Sequence, residues 1–228
     1  PQVPYHGVFT EHAWAGFLEA DRLGASPGDH SDVLQPFYRT KRLSMLSDLS
    51  IRKLSLQNRE DFYRVHRSGE YGDFCLCGFW WYTGQKDWNE RTEEDGRAQR
   101  EDLFTHGIFD GYLLYEHDQP VGWCQVYPRD QLPRLVNTYQ FAPDATVWCI
   151  GCFTLVPQAR GKGFAHVFLA EVLVELRKMG VKTVQAFPLS KEGASAEDNW
   201  TGPQAIFSQA GFQKIMDHPR RPVWEIQL

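Results

Sequence analysis

The sequence lacks several features that would assign it to a broad class of proteins. Its formal net charge is -5, whereas general nucleic-acid binders are usually basic, so we expect no nucleic-acid partner. It has no apolar run long enough to cross a bilayer and no secretory segment at its start, so we expect no membrane association. Its five cysteines are an odd number without a small-domain disulfide framework, which predicts a reduced, cytoplasmic protein.

One stretch of the chain predicts a strand, a glycine-containing loop and a helix in succession. The apolar run Val147–Val156 ends at Pro157, and Phe164–Met179 carries apolar residues at helical spacing. Between them, Gly161 and Gly163 let the backbone approach a ligand closely and adopt positive φ. Because the first amides of a helix have no internal partner, the pattern predicts an anion site, most often one for phosphate.

Two cations in the loop, and the absence of the P-loop and dinucleotide-binding signatures, indicate which kind of anion site the sequence forms. Arg160 and Lys162 place positive charge in the loop, and a simple turn without a ligand would leave both unexplained. Lys162 precedes Gly163, whereas a P-loop needs lysine followed by Ser or Thr after a longer glycine spacing. The dinucleotide-binding fingerprint would need a third glycine, which is absent.

The stretch Arg160-Gly-Lys-Gly163-Phe-Ala165, after Leu155-Val-Pro157, resembles motif A of the GNAT superfamily of acyl-CoA N-acyltransferases. The resemblance covers roughly residues 51–228 and includes Ala210-Gly-Phe212. It implies an α/β (α+β) GNAT fold, a mixed twisted sheet of about six to seven strands flanked by helices. It also implies acetyl-CoA as cosubstrate, its pyrophosphate on the loop amides and its pantetheine arm along the preceding strand. The cofactor-binding residues that it implies are Phe153, Thr154, Leu155, Arg160, Gly161, Lys162, Gly163, Phe164, Ala165 and Phe207.

Both proton carriers common in this superfamily are missing at their usual positions. No carboxylate lies between Val147 and Val156, where many members have a glutamate base, and Phe207 takes the place of a tyrosine acid. A base or a desolvating pocket is still needed, because a lysine-type amine has a pKa near 10.4 and is protonated at neutral pH. The resemblance also implies a backbone amide near Cys152 or Phe153 as donor to the oxyanion. The substitute bases left open are Glu116, Asp144, His218 and Glu225.

An aromatic stretch upstream, Phe74–Tyr82, has five aromatic residues and two cysteines but no helical period. It lies where the superfamily has the loop that shapes the acceptor pocket. Its Cys-x-Cys and tryptophans resemble a subgroup of that superfamily, together with Val121–Cys124, Arg129 and Arg220–Val223. Each prominent tryptophan is interpreted either as core or as a wall of the acceptor pocket, and the three concerned are Trp80, Trp81 and Trp148.

The pairs Cys75-x-Cys77 and Cys149-x-x-Cys152 together suggest a four-thiolate zinc set. Residues three apart on an extended strand point to opposite faces, however, so we expect no structural metal. A reactive thiol near the acceptor pocket and inert buried cysteines remain as alternatives.

The chain is predicted to have two parts, an N-terminal extension over residues 1–49 and an acetyltransferase domain over residues 50–228. The extension includes a predicted helix, Glu11–Leu23, which either packs on the domain or acts as a lid or as the arm of a homodimer. The predicted function is transfer of an acetyl group from acetyl-CoA to a primary amine of a small molecule or peptide. The alternatives are a non-catalytic acyl-CoA binding or sensing module and a protein–protein adaptor. An acidic acceptor pocket would suit polyamines, but the net charge of the chain does not determine the charge of that pocket.

Overall fold

A mixed seven-stranded sheet organises the computed structural model, which describes residues 48–69, 72–190, 195 and 198–228. The predicted helix Glu11–Leu23 and nearly all of the extension lie outside these residues. The strands are β1 Leu49–Lys53, β2 Gly111–Glu116, β3 Gln119–Pro128, β4 Val147–Leu155, β5 Thr183–Ala186, β6 Gln213–Met216 and β7 Val223–Gln227. The helices are α1 Arg59–Arg67, α2 Gly72–Cys75, α3 Glu93–Thr105, α4 Pro133–Tyr139, α5 Phe164–Lys178 and α6 Gln204–Gln209.

The strands lie in the order β1-β2-β3-β4-β5-β7-β6. Every neighbouring pair is antiparallel except β4 and β5, which are parallel and are joined through α5. A parallel pair needs a long crossover connection, and a helix usually supplies it. The structure therefore confirms the mixed sheet flanked by helices that the sequence predicts.

Helices cover both faces of the sheet. On one face, α5 buries an apolar stripe that includes Phe164, Phe168 and Val172, which packs with the β4 residues Ile150 and Phe153. On the other face, apolar residues of α1 and α3 pack with those of β2 and β3. This burial on both sides explains the continuous apolar run of β4.

The ends of two helices follow from local sequence. Thr92 is followed by three acidic residues, a pattern that predicts a helix N-cap, and it does cap α3. Its side chain accepts a hydrogen bond from the Asp95 amide, and the Asp95 carboxylate accepts one from the Thr92 amide. The prediction that Met179 lies on the buried face of α5 is wrong, because its exposed fraction is 48%. The helix ends at Lys178, and Gly180, at φ +82°, turns the chain away.

Helix α4 lies within a segment that the sequence predicts only as a polar excursion, residues 130–144. It begins with Pro133, which suits the first turn because proline has no amide hydrogen to leave unpaired there. Leu135 and Tyr139 anchor it in the core. Within the part of the chain that the structure describes, no helix is both long and apolar enough to cross a membrane.

Candidate active site

Strand β4 carries a β-bulge at its middle. Gln125 of β3 is paired with Cys152, but the next residue, Val126, is paired with Ile150, so Gly151 is the extra residue. A Cβ at Gly151 would lie 2.6 Å from Gln125 Oε1 and 2.9 Å from Trp80 Cδ1, so only glycine fits. A bulge leaves backbone groups of its extra residue outside the regular ladder. It therefore makes a place where β4 can present backbone to a ligand.

Beyond the bulge, β4 separates from β5. The two strands pair from Val147 to Ile150 only. The Phe153 amide instead donates a hydrogen bond of 2.7 Å to the carbonyl oxygen of Trp200, and Phe153 forms a parallel bridge with Thr201. The edge that the sequence interpretation assigns to the pantetheine arm is thus in contact with a segment of the chain itself.

The loop between β4 and α5 has the geometry of an anion site. Gly161 and Gly163 have φ values of +73° and +80°, in the left-handed region that favours glycine, and a Cβ at either position would meet nothing within 4 Å. Gly163 caps α5 without a side-chain hydrogen bond, and the first turn of that helix contains no acidic residue. The first amides of the helix and the positive end of its dipole therefore favour an anion at this terminus.

The two loop cations flank this helix terminus and also contact the protein. Arg160 Nε donates to the Leu155 carbonyl oxygen at 3.1 Å. Lys162 Nζ lies 3.5 Å from Glu116 Oε1, at the end of β2. Glu116, one of the predicted bases, is therefore placed beside the loop, where it partly offsets the charge of Lys162.

A cavity of about 400 Å³ lies between the C-terminal half of β4 and the helices α1, α2 and α4. Its volume is in the range of sites for small molecules. Cys152 and Thr154 of β4 line it, so it reaches the strand that leads into the anion loop. Its aromatic lining residues are Phe74, Phe79, Trp80, Trp88, Tyr139 and Trp200, and those with a basic side chain are His66, Arg134, His218, Arg220 and Arg221.

A buried ion pair supports one side of the cavity. Arg100 Nη1 lies 2.8 Å from Asp110 Oδ1, and neither side chain is exposed. Arg100 also donates from Nε and Nη2 to the Leu76 carbonyl oxygen, at 3.0 and 2.8 Å. The other Asp110 oxygen accepts from Trp81 Nε1 at 2.8 Å and from Gln125 Nε2 at 2.7 Å. The pair thus fixes the backbone before Cys77 and the orientation of the Gln125 amide.

Gln125, a cavity-lining residue, has an unused acceptor. Its exposed fraction is 1%, and its Nε2 donates to Asp110 and to the Cys77 carbonyl oxygen. Its Oε1 is buried and has no hydrogen-bond partner among the described residues. A buried acceptor without a partner is destabilising unless a ligand satisfies it.

His66 and Cys77 form a pair at the cavity. His66 Nδ1 lies 2.8 Å from the Phe62 carbonyl oxygen, which can only accept, so this nitrogen carries the ring proton of the neutral imidazole. The other nitrogen, Nε2, is therefore the acceptor, and it lies 3.1 Å from Cys77 Sγ. Burial raises the pKa of the Cys77 thiol well above its ordinary value, so the thiol keeps its proton and can donate it either to Nε2 or to Cys152. When the S–H turns to Cys152, the Nε2 lone pair is available and the imidazole can act as a base.

Of the four substitute bases considered, only His218 lines the cavity. Its Nδ1 accepts from the amides of Arg221 and Arg220, at 3.1 and 3.4 Å, so the proton of a neutral ring is on Nε2. Asp144 is exposed and is bonded to the amide and hydroxyl of Thr146. Glu225 of β7 accepts from the Gln185 side chain, outside the cavity.

The structure separates the three tryptophans. Trp80 is buried, lines the cavity and donates from Nε1 to the Gly151 carbonyl oxygen at 2.9 Å. Trp81 binds Asp110, and Trp148 packs near Tyr127 at the other end of β4. Neither of these two is among the residues that line this cavity.

Phe207 lies in the core rather than in the cavity lining. It is fully buried in the apolar cluster under α5 and packs edge-on against Phe212, with ring centroids 5.3 Å apart.

The cysteines do not gather around one point. Cys149 lies in the cluster that contains Trp80 and Phe187, whereas Cys77 and Cys152 lie in the cluster between the sheet and α1. Among the described residues, no group of three or more His, Cys, Asp or Glu residues could hold a metal ion.

A parallel strand pair that separates beside a glycine loop, with that loop opening a long helix, defines the class: an α/β protein with an anion site at a helix N-terminus. Residues 76–195, slightly more than half of the chain, match the model of the Acetyltransferase (GNAT) family. The chain belongs to this family. Membership of the family supports acyl-CoA-dependent acyl transfer but does not identify the acceptor.

Solved structures of low sequence identity share the fold. The PaiA N-acetyltransferase from Thermoplasma acidophilum, solved in complex with coenzyme A, is 15% identical over 79% of this chain and 99% of its own, with a TM-score of 0.50. A GNAT-family acetyltransferase from Desulfovibrio desulfuricans is 16% identical over 78% of this chain and 98% of its own, also with a TM-score of 0.50. The comparison with curated proteins finds no match.

Proposed function

We propose that this protein transfers the acetyl group of acetyl-CoA to a primary amine of a small molecule or peptide. The observation that carries the proposal is the continuity of two sites along β4. Cys152 and Thr154 line the cavity, and the same strand leads into the open anion loop at Gly161–Gly163. A phosphate-bearing thioester on the loop and an amine in the cavity would meet at β4.

Coenzyme A is the anionic ligand that fits this arrangement. The structure of the Thermoplasma acidophilum relative holds coenzyme A. This chain has two left-handed glycines and two cations just before α5. We propose that the amides from Gly161 to Ala165 bind the pyrophosphate, because the helix N-terminus favours negative charge. The pantetheine arm would follow Phe153, Thr154 and Leu155.

His66 is our candidate for the base. An amine must lose a proton before or during its attack on the thioester carbonyl, and His66 lines the cavity with its unprotonated Nε2 beside Cys77. The leaving CoA thiolate needs less help, because a thiol has a pKa near 8.5. For the oxyanion we propose a backbone amide at the bulge, where Gly151 and Cys152 interrupt the ladder.

The upstream stretch Phe74–Tyr82, with its Cys-x-Cys and tryptophans, lies at the cavity. Cys75, Cys77, Phe79 and Trp80 all line the cavity. We therefore propose that this stretch shapes the acceptor site, as its resemblance to a GNAT subgroup suggests.

The direct test incubates the protein with acetyl-CoA and a panel of amines, and follows both thiol release and the acetylated product. Transfer to at least one amine supports the proposal. Tight CoA binding without transfer to any amine would instead support a non-catalytic acyl-CoA binding module.

Gly163→Asp tests the cofactor site. We expect CoA affinity to fall by more than tenfold, because the carboxylate would occupy the anion site and repel the pyrophosphate. Strain at the positive φ is on the order of 1–3 kcal/mol, so most of the protein should stay folded. Isothermal calorimetry with CoA measures the effect, and unchanged affinity would contradict the assignment.

Gly180→Asp is the matched control for this variant. Gly180 lies just beyond the other end of α5, at φ +82°, and a Cβ there also meets nothing within 4 Å. An aspartate at a helix C-terminus is electrostatically less favourable than one at the N-terminus. This control should therefore lose at least as much stability, yet bind CoA normally.

A further inference from the structure

The charged residues that line the cavity in the described part of the chain are all basic, and this bears on the acceptor. Arg134, Arg220 and Arg221 line it together with two histidines. Among the described residues that line it, none is aspartate or glutamate. Such a site disfavours a polycation by electrostatic repulsion and attracts an anion. A polyamine acceptor is therefore a poor match for this cavity.

Arg221 is a buried cation whose side-chain bonds go to neutral groups. Its exposed fraction is 7%. Nη1 donates to Thr201 Oγ1 at 2.5 Å, and Nη2 donates to the Asp198 carbonyl oxygen at 2.9 Å. Burial lowers the pKa of this guanidinium to about 10. The Asp198 carboxylate acts on this pKa, but the described residues form no ion pair with Arg221 within 4 Å. Burying a charge without an ion-pair partner is unfavourable, and a ligand carboxylate would offset that cost.

Arg134 is a second lining cation, and its guanidinium can bind a ligand. Its guanidinium stacks on the Phe79 ring, 4.1 Å from the centroid, and within the described chain it has no ion pair within 4 Å. Asp87 is near enough to act on its pKa, but the Asp87 carboxylate accepts from the Asn89 amide. A planar guanidinium presents five donors that suit a carboxylate in a bidentate pair.

The rest of the lining is apolar or accepts hydrogen bonds. Phe79 and Trp200 have ring centroids 5.2 Å apart, and Trp80 and Trp200 have theirs 5.6 Å apart. These rings would enclose an aromatic or aliphatic body. Gln125 Oε1, buried and without a partner, can accept a hydrogen bond from an amine near β4.

We propose that the acceptor is a small amine that also carries a carboxylate and an apolar body, an aromatic amino acid being the simplest example. Arg134, with Arg221 behind it, binds the carboxylate. The aromatic rings bind the body, and Gln125 Oε1 orients the amine toward the thioester. This inference rests on the proposed acetyl transfer and adds the class of acceptor.

The first test compares three amines that share a phenyl ring: phenylalanine, phenylalaninamide and 2-phenylethylamine, with spermidine as the polycation. We expect phenylalanine to give a kcat/KM at least tenfold above the others. The amine of the amide loses its proton at a lower pH than that of the amino acid, so protonation alone would favour the amide. Equal or better use of the amide, or of spermidine, would overturn the inference.

The second test measures binding without turnover. Phenylpropionate and phenylpropionamide differ only in the anion, and tryptophan fluorescence can report their binding because Trp80 and Trp200 line the cavity. Arg134→Gln should weaken the binding of phenylpropionate by more than tenfold and leave the binding of phenylpropionamide nearly unchanged. Arg177→Gln, which removes the same charge from an exposed position on α5, should change neither.

The two tests separate the inference from the function on which it rests. Selective carboxylate binding that depends on Arg134, without transfer to any amine, would reject the acetyl transfer and keep the anion site. Transfer to amines without any preference for the carboxylate would keep the function and reject the acceptor class. An equal loss of affinity for phenylpropionate and for phenylpropionamide in Arg134→Gln would also reject the acceptor class, because Arg134 would then affect binding through the fold and not through the carboxylate.

Discussion

Replacing His66 with glutamine is expected to lower kcat/KM for acetyl transfer by about a hundredfold or more, in the range that general-base catalysis contributes. The glutamine amide lies near the position of the imidazole Nε2 but cannot accept a proton at neutral pH. CoA affinity should be unchanged, because the proposed CoA loop lies on another element. Kinetics with an accepted amine, together with calorimetry for CoA, measure the two quantities separately.

His106→Gln provides the matched control. His106 Nδ1 lies 2.8 Å from the Asp102 carbonyl oxygen, four residues earlier on α3, which is the same local geometry as His66 and Phe62. His106 is exposed and is not among the cavity-lining residues, so its loss should leave kcat/KM unchanged. Imidazole added to the His66→Gln enzyme should restore part of the rate, which a merely structural role for His66 would not allow.

Cys77→Ala distinguishes two roles of the His66–Cys77 pair. Either His66 takes the proton directly from the amine, or the acetyl group passes through the Cys77 thiol. If His66 takes the proton from the amine directly, the alanine variant should lose much less activity than His66→Gln. Equal losses, with an acetylated Cys77 detected by mass spectrometry after mixing wild type with acetyl-CoA, would contradict the direct role and show transfer through the thiol.

Asp110→Asn is expected to lower the free energy of unfolding by about 3–5 kcal/mol, the usual effect of removing one partner of a buried ion pair. Arg100 would remain buried and charged. The new amide would also turn its NH₂ group either toward Arg100 or toward the Trp81 and Gln125 donors, so at least one donor loses its acceptor. Urea denaturation followed by tryptophan fluorescence measures the loss.

Asp118→Asn is the control for this stability prediction. Asp118 Oδ1 lies 2.7 Å from Arg52 Nη2, close to the distance in the buried pair, but the Asp118 side chain is 89% exposed. Water solvates both charges there, so the unfolding free energy should change little. If Asp110→Asn and Asp118→Asn lowered the free energy of unfolding by similar amounts, burial would not be the reason for the importance of Asp110.

The sequence predicts individual helices and strands of this protein well where periodicity and capping act locally. Thr92, the apolar run of β4 and the glycines before α5 all have the structure that their local patterns indicate. Helix α4 was missed because its polar and proline-containing segment resembles a loop, and only the burial of Leu135 and Tyr139 makes it stable. Met179 has the helical spacing of the buried residues, but it lies one residue beyond the end of α5 and is exposed.

The acceptor cavity could be predicted only in part. Trp80 and the Arg220–Val223 stretch stand out in the sequence, whereas His66 and Arg134 look like ordinary surface residues of short helices. Their roles depend on tertiary contacts: the Phe62 carbonyl oxygen fixes the His66 tautomer, and Phe79 holds the Arg134 guanidinium. No local pattern encodes Gln125 Oε1 as an unpaired acceptor, because Asp110 and Cys77, which orient the amide, are distant in sequence.

The Phe153 amide donates a hydrogen bond to the Trp200 carbonyl oxygen at the edge of β4 that we propose for the pantetheine arm. If CoA lies along β4 as proposed, it binds only the fraction of molecules in which this bond is open, and the apparent dissociation constant rises by the inverse of that fraction. Trp200 also lines the cavity, and the neighbouring Thr201 hydroxyl accepts from Arg221. One short segment would therefore belong to both proposed sites, and an acceptor that shifts it would change the affinity for CoA. By thermodynamic reciprocity, CoA would change the affinity for the acceptor by the same factor.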